Sequence, residues 1–92
     1  MSGIRFPPGA VVATPGALEA CSASGDDPIA YLVRHLAGDW GEIDPDDVME
    51  NEFSLQHGFR LLSSYRLSSG VRIWCITEAD RSVTTFLLPE EY

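Results

Sequence analysis

Residues 60–88, RLLSSYRLSSGVRIWCITEADRSVTTFLL, decide the fold because their residue pattern has the period of two that is typical of strands. Segments 60–67, 71–77 and 82–88 are rich in β-branched and aromatic residues, which favour strands. The turn-forming sequences SSG and EADR separate these segments. The pattern therefore predicts three antiparallel strands joined as a meander.

Three helices are predicted upstream of the strands, each opened by a capping residue followed by proline. Thr14 and Pro15 begin a short helix that extends to about Cys21, and residues 22–27 are expected to form a loop. The second helix begins at Asp27 and ends at Gly38, and the third runs from Asp44 to Gly58. The second helix shows a clean apolar face formed by Ile29, Leu32, Val33 and Leu36.

The third predicted helix is less clearly amphipathic than the second. Its apolar residues cover a broad arc and are Val48, Met49, Phe53 and Leu55, but Glu52 and Gln56 lie within that arc. Two interpretations follow. Either Glu52 pairs with an arginine from the sheet, or this face of the helix is partly open for a partner.

These elements predict an α+β fold with a three-stranded antiparallel sheet meander and two to three helices packed on one face. Residues 1–13 contain two glycines and two prolines and are predicted to form an extended N-terminal arm, with residues 10–13 as a candidate short strand. Residues 14–92 are predicted to form a single domain.

Composition limits the kind of partner and the cellular compartment that can be expected. The chain has 14 acidic and six basic residues, all six of them arginine, and a net charge of -8. This charge repels nucleic acid and anionic membranes and favours a basic surface. No apolar run is long enough for a signal peptide or a membrane span, so we expect a cytoplasmic protein. Cys21 and Cys75 are expected to be reduced, and no spacing predicts a zinc site or another cofactor.

Residues 39–52, DWGEIDPDDVMENE, hold seven carboxylates and no basic residue. Asp46, Asp47 and Glu50 share a helix face with neighbours ~5–6 Å apart, of the same order as the ~3.4 Å charge spacing along a nucleic-acid strand. Such a face can imitate DNA, although acidic residues also stabilise a helix N-terminus. The predicted partner-binding residues are Asp39, Trp40, Glu42, Asp44, Asp46, Asp47, Glu50 and Glu52. Trp40, between two glycines, is either an exposed anchor or a plug over the core.

Two alternatives remain open at this point. The first is a metal-independent ribonuclease that uses His35, with Arg72 or Arg81 and with Thr84 or Thr85, although Arg81 is otherwise expected to pair with Glu78 or Asp80. The second is a homodimeric interaction module built through a sheet edge or through the face bearing Arg72 and Trp74.

The combination of GDWG (38–41), RLLSSYRL (60–67) and ITEADRSVTTFLLPEEY (76–92) resembles a family of small proteins carried by bacterial plasmids, phages and related mobile elements. The resemblance covers residues 14–92 and carries over no catalytic residue. It implies a genetic context in which accessory genes often encode counter-defence proteins or toxin–antitoxin components. A similar arrangement of histidine, arginine and threonine on a sheet occurs in RelE-like and barnase-like toxins.

The acidic tract and this resemblance together predict a non-enzymatic inhibitor of the anti-CRISPR or anti-restriction type. Its expected partner is a nucleic-acid-binding effector with a basic surface, which would meet an acidic, DNA-mimicking face. Direct binding to nucleic acid or membrane is not expected, and the protein is expected to be a monomer or a homodimer.

Overall fold

The computed structural model describes residues 3–92 and shows an α+β fold, as predicted. In chain order the elements are β1 Ala10–Ala13, α1 Pro15–Ser24, α2 Pro28–Leu36, α3 Pro45–His57, β2 Leu61–Arg66, β3 Arg72–Thr77, β4 Val83–Leu87 and a 3-10 turn at Pro89–Glu91. No helix within residues 3–92 combines the length and the apolar character that crossing a membrane requires.

The sheet has four strands in the order β1-β4-β3-β2. Strands β2, β3 and β4 form the predicted antiparallel meander. The prediction of a three-stranded, purely antiparallel sheet is wrong in its details, because β1 adds a fourth strand parallel to β4, with Ala10 opposite Val83 and Ala13 opposite Phe86. A parallel pair needs a long crossover connection, so no local pattern in residues 10–13 announces the partner strand.

The N-terminal arm, predicted as residues 1–13, packs against the rest of the chain. Phe6 lies in the core, and the backbone N–H of Arg5 donates to the carbonyl of Leu36 at 2.8 Å. The end of the arm is β1. The first two residues of the predicted arm lie outside the described residues.

Helices α1 and α2 begin where the capping signals predict. The Thr14 side chain accepts a hydrogen bond from the backbone N–H of Ala17, and the Asp27 side chain accepts one from that of Ile29. Helix α1 continues to Ser24, beyond the predicted end near Cys21, before Gly25 terminates it in the left-handed conformation with φ of 76°.

Two clusters of buried side chains form the core. The first joins α1 to the sheet through Ala17, Cys21, Tyr65, Leu67, Ile73, Cys75 and Phe86. The second joins the arm, α2 and the start of β2 through Phe6, Leu36, Trp40 and Leu61. Helices α1 and α2 therefore cover the sheet face that carries Ile73 and Cys75.

The apolar face predicted for α2 is only half correct. Leu36 is buried and Leu32 is half-buried, but Ile29 and Val33 are 56% and 58% exposed. The helix is rotated from the predicted orientation because His35, which is 0% exposed, occupies the inward position. A polar residue at the centre of the contact requires hydrogen-bonding partners on the sheet.

Helix α3 lies against the outer edge of β2 through polar contacts. The Asn51 side chain donates to the carbonyl of Leu62 at 2.7 Å and accepts from its N–H at 3.2 Å. Next to it, Ser64 exchanges backbone hydrogen bonds with Trp40 and Glu42. This sheet edge is therefore covered, which protects it from pairing with another chain. Leu55 packs on the second cluster, but the contacts with β2 are polar, and Met49 and Phe53 of α3 remain exposed.

Candidate functional site

A chain of hydrogen bonds runs through the interior from α2 to the N-terminal arm. His35 Nδ1 lies 2.5 Å from Ser63 Oγ, and its Nε2 lies 2.9 Å from Thr77 Oγ1. Thr77 Oγ1 lies 2.7 Å from Thr84 Oγ1, which donates to the carbonyl of Pro8 at 2.8 Å. All four side chains are fully buried.

The donor and acceptor roles in this series of hydrogen bonds follow from its last member, Thr84. A carbonyl oxygen only accepts, so the single hydroxyl hydrogen of Thr84 is committed to Pro8. Thr77 must then donate to Thr84 and accept from Nε2–H of His35. Burial lowers the pKa of His35 to about 4, so the ring is a neutral imidazole near pH 7. With Nε2 protonated, its Nδ1 then accepts from the Ser63 hydroxyl.

The ribonuclease hypothesis requires several of these residues to meet a substrate. The structure brings His35 and Thr84 together, but both are enclosed and no pocket is found within residues 3–92. Thr85 points to the opposite face of the sheet from Thr84, as alternation along a strand requires. Arg72 donates to Ser64 Oγ at 2.8 Å and makes no hydrogen bond with the hydrogen-bonded side chains around His35. The geometry gives a phosphate no route to His35.

Arg81 has a structural role. It lies in the β3–β4 turn with φ of 60°, and its guanidinium donates to the carbonyls of Ser54, Phe59, Glu78 and Ala79 at 2.7 to 3.1 Å. The prediction that it pairs with the carboxylate of Glu78 or Asp80 is therefore wrong, because backbone carbonyls at the end of α3 and in the turn itself take its donors. Arg81 fixes the C-terminal end of α3 to the sheet.

Three of the predicted binding residues at the ends of the acidic tract are neutralised within the molecule. Asp39 pairs with Arg34 at 2.8 Å, and the hydrogen bond from Arg34 lowers the pKa of Asp39. Glu52 pairs with Arg5 at 2.8 Å and also accepts from Trp40 Nε1 at 3.1 Å. The Arg5 hydrogen bond, with a further contribution from Trp40, lowers the pKa of Glu52.

Glu42 is the third neutralised carboxylate. It lies between Arg66, at 3.1 Å, and Arg72, at 3.2 Å, and the hydrogen bond from Arg66 is the main cause of its lowered pKa. The arginine that meets Glu52 belongs to the arm, whereas the two arginines that meet Glu42 belong to the sheet. Sequence separation hides all of these partners from a local pattern.

Trp40 belongs to the core and is 4% exposed. Its ring stacks on Phe6 at 6.2 Å and meets the edge of His35 at 5.7 Å. This arrangement corresponds to the plug over the core rather than to the exposed anchor. Trp40 holds the start of the acidic tract in place and offers a partner almost no surface.

The remaining carboxylates of the tract are free. Within residues 3–92 no ion pair and no side-chain hydrogen bond is made by any of the four residues Asp44, Asp46, Asp47 and Glu50. All four are exposed and lie at the cap or in the first two turns of α3. We call this set the α3 carboxylates.

Apolar side chains lie beside the α3 carboxylates on the outer face of the helix. Met49, Phe53 and Phe59, which we call the α3 ridge, are 70%, 50% and 52% exposed. The Phe53 ring stacks on His57 at 4.1 Å and is nearly parallel to Phe59 at 5.9 Å. The ridge is thus an ordered surface, in which two aromatic rings are held by each other and by His57.

Helical spacing places charge and apolar surface side by side. Met49 and Phe53 are separated by four positions, as are Asp46 and Glu50, so the two pairs form adjacent rows on one face. For the third predicted helix, the sequence left two interpretations open. Glu52 does pair with an arginine, but with Arg5 of the arm rather than with one from the sheet, and Met49 and Phe53 are exposed. Phe59 was missed because it follows Gly58 and belongs to no predicted element.

Residues 3–92 contain no group of three or more histidine, cysteine or acidic side chains arranged to hold a metal ion. Comparison with protein families, with curated proteins and with solved structures gives no match for this chain.

Proposed function

We propose that this chain is a small, acidic, non-enzymatic binding protein that presents the α3 carboxylates to the basic surface of a nucleic-acid-binding protein in the cytoplasm. In the mobile-element context that the sequence resembles, the partner is a defence effector of the CRISPR or restriction type. The chain occupies the groove that would otherwise hold nucleic acid, and so acts as a counter-defence inhibitor.

One observation carries the proposal, namely the uneven distribution of compensating charge. The chain has six arginines, and all of them are engaged away from the α3 carboxylates. Five make ion pairs, and these are Arg5, Arg34, Arg60, Arg66 and Arg72. The sixth, Arg81, donates to backbone carbonyls. The α3 carboxylates therefore keep their charge for a partner.

Stiffness of the helix supports this function. Asn51 holds the middle of α3 to β2, and Arg81 holds its C-terminal end to the β3–β4 turn. A charge array that is already ordered loses little conformational entropy when it binds. Asp39, Glu42 and Glu52 form ion pairs with arginines of the same chain, so the proposed binding face contains only the α3 carboxylates.

The interaction is expected to be strongly salt-dependent. Exposed charges are screened over ~8 Å at physiological ionic strength. Complementary charge mainly raises the association rate and excludes wrong partners. A partner that binds DNA through lysine and arginine supplies the required complement.

The test uses purified CRISPR and restriction effectors and a pair of charge-matched variants. D46N/E50Q removes two of the α3 carboxylates. E19Q/E90Q removes two exposed carboxylates that make no ion pair or side-chain hydrogen bond within residues 3–92. Both variants have the same net charge, so a general charge effect cancels between them.

We expect the wild type and E19Q/E90Q to displace DNA from the target effector equally well. D46N/E50Q should bind about tenfold more weakly at low salt, since loss of rim charges at an interface costs affinity and salt sensitivity. An effector whose affinity and salt dependence are the same for both variants would contradict the proposed function.

A further inference from the structure

The α3 ridge has the features of an interaction surface. Single exposed apolar residues are common on proteins, but a contiguous apolar patch rimmed by polar residues marks interaction sites. Met49, Phe53 and Phe59 form such a patch, and aromatic residues and methionine are enriched at interfaces. Charge alone, as in the proposed function, gives these three side chains no role.

We infer that the α3 ridge docks a basic amphipathic helix of the partner protein, whose apolar stripe packs on Met49, Phe53 and Phe59 while its lysines or arginines meet the α3 carboxylates. This inference rests on the proposed function and names the partner segment that the same surface recognises. Nucleic acid is not the occupant, because the carboxylates repel its phosphates.

Charge complementarity also selects against a second copy of this chain. A two-fold dimer is built from the same patch on both subunits. Packing ridge on ridge would place Asp46 and Glu50 near their own equivalents, with no arginine free to separate them. A helix that carries positive charge beside an apolar stripe can pack on the α3 ridge and pair with the carboxylates at the same time.

The shape of the ridge fits a packed helix. Met49 and Phe53 lie four residues apart, in the kind of i±4 row that packs between the side-chain rows of another helix at an axial distance of about 8–10 Å. Phe53 already stacks on His57 and lies nearly parallel to Phe59, so its ordering cost on binding is small. Asp46 and Glu50 border this row, where rim charges set orientation and partner choice.

Two synthetic peptides test the inference with the intact protein. The first is a helix of about 20 residues with leucine at i, i+3, i+4 and i+7 and lysine at most other positions. The second has glutamine in place of every leucine and the same lysines. We expect the wild type to bind the leucine peptide at least about tenfold more tightly, since partial burial of two large apolar side chains supplies that difference.

The matched variants are M49Q/F53Q and I29Q/V33Q. Each replaces two exposed apolar residues that lie four positions apart on one helix, but Ile29 and Val33 lie on α2, away from the α3 carboxylates. M49Q/F53Q should bind both peptides equally, and I29Q/V33Q should behave as the wild type. Equal weakening by the two variants would overturn the inference.

The outcomes separate this inference from the proposed function. Equal binding of both peptides by the wild type, with weaker binding by D46N/E50Q, overturns the ridge inference and supports the electrostatic function. If D46N/E50Q binds the leucine peptide with full affinity and still prefers it to the glutamine peptide, the result supports apolar packing on the ridge. It overturns the charge contacts of the inference together with the electrostatic function. A self-association detected by sedimentation and lost in M49Q/F53Q shows a second copy on the ridge and overturns the inference, as does binding of neither peptide.

Discussion

The side of α3 that meets β2 is polar and hydrogen-bonded, whereas the opposite side carries exposed apolar residues and free carboxylates. On the inner side Asn51 is buried and bonds both backbone groups of Leu62. On the outer side Met49 and Phe53 are exposed beside Glu50. A helix that served only to cover the core would bury its apolar residues and expose its polar ones. Leu55 of α3 does pack on the core, but Met49 and Phe53 do not, and this exposed apolar pair is the reason for proposing another use for the outer side.

Buried and exposed polar groups also differ in whether they have hydrogen-bonding partners. Within residues 3–92 every buried side-chain nitrogen and oxygen has a hydrogen-bond partner. The chain from Ser63 through His35 to Pro8 satisfies four buried side chains at once. Polar residues inside therefore serve stability, whereas the free carboxylates of the acidic tract lie on the surface of α3. Changes inside should reduce stability, whereas changes on the outer face should affect binding alone.

The largest expected loss of stability comes from Thr84→Val. This change leaves the Pro8 carbonyl without its donor and the Thr77 hydroxyl without its acceptor, both in the interior. Two unsatisfied buried groups should lower the free energy of unfolding by about 3 kcal/mol. Thr85→Val is the matched control, since Thr85 is the adjacent residue on the other sheet face and should tolerate valine. Urea unfolding that gives equal stabilities for the two variants would contradict the interior chain.

Lowering the pH should destabilise the protein through His35. The unfolded pKa of histidine is about 6.5, and burial lowers the folded pKa to about 4. The unfolded state therefore binds a proton between these values and the native state does not, so stability is complete above pH 7 and falls as the pH drops. The expected loss between pH 7 and 5 is about 2 kcal/mol.

His57→Gln makes this measurement specific, because His35 is then the sole histidine of the chain. The paired carboxylates also have lowered pKa values, but their effect develops below about pH 4.5 and lies outside the chosen window. A His57→Gln protein with constant stability from pH 7 to 5 would show that His35 is not held neutral by burial.

A smaller loss is expected for Asn51→Asp. The carboxylate keeps the shape of the side chain but cannot donate to the Leu62 carbonyl, which loses its partner at the edge of β2. The free energy of unfolding should fall by about 1–2 kcal/mol. Gln56→Glu adds the same charge to an exposed position of α3 and should change stability far less. Thermal unfolding of the two variants side by side distinguishes a lost contact from a charge effect.

The smallest effect on stability is expected for M49Q/F53Q. Both side chains are largely in water, so their replacement should change the free energy of unfolding by no more than about 0.5 kcal/mol. The same variant should lose its preference for the leucine peptide. A large loss of stability would mean that the ridge supports the fold, and the contrast between the two sides of α3 would disappear.

Local patterns in the sequence were sufficient for the elements whose signals are local. The meander of β2, β3 and β4 and the caps at Thr14 and Asp27 follow from residue types a few positions apart. Strand β1 could not be predicted as a partner of β4, because Ala10 pairs with Val83 across most of the chain. The orientation of α2 was missed because the partners of His35 lie on β2 and β3.

The candidate site shows the same dependence on contacts between residues distant in sequence. The cluster of acidic residues is visible in the sequence, but the ion pairs that neutralise Asp39, Glu42 and Glu52 depend on the folded structure. Glu52 meets Arg5 across 47 positions, which no helix pattern contains. The carboxylates that remain free are those near the start of α3, where no arginine is within reach. The structure thus leaves Asp44, Asp46, Asp47 and Glu50 as the unpaired carboxylates of the predicted set.

The central claim is that the outer face of α3 is the binding surface of this protein. The most direct measurement is the change in backbone amide NMR shifts when the leucine peptide is added to the wild type. We expect the largest changes at Asp46, Met49, Glu50, Phe53 and Phe59. Changes centred on Trp74, which lies on the sheet face opposite α1 and α2, and on Tyr92, which packs against it, would contradict the claim. Changes centred on Ile29 and Val33 of α2 would contradict it as well.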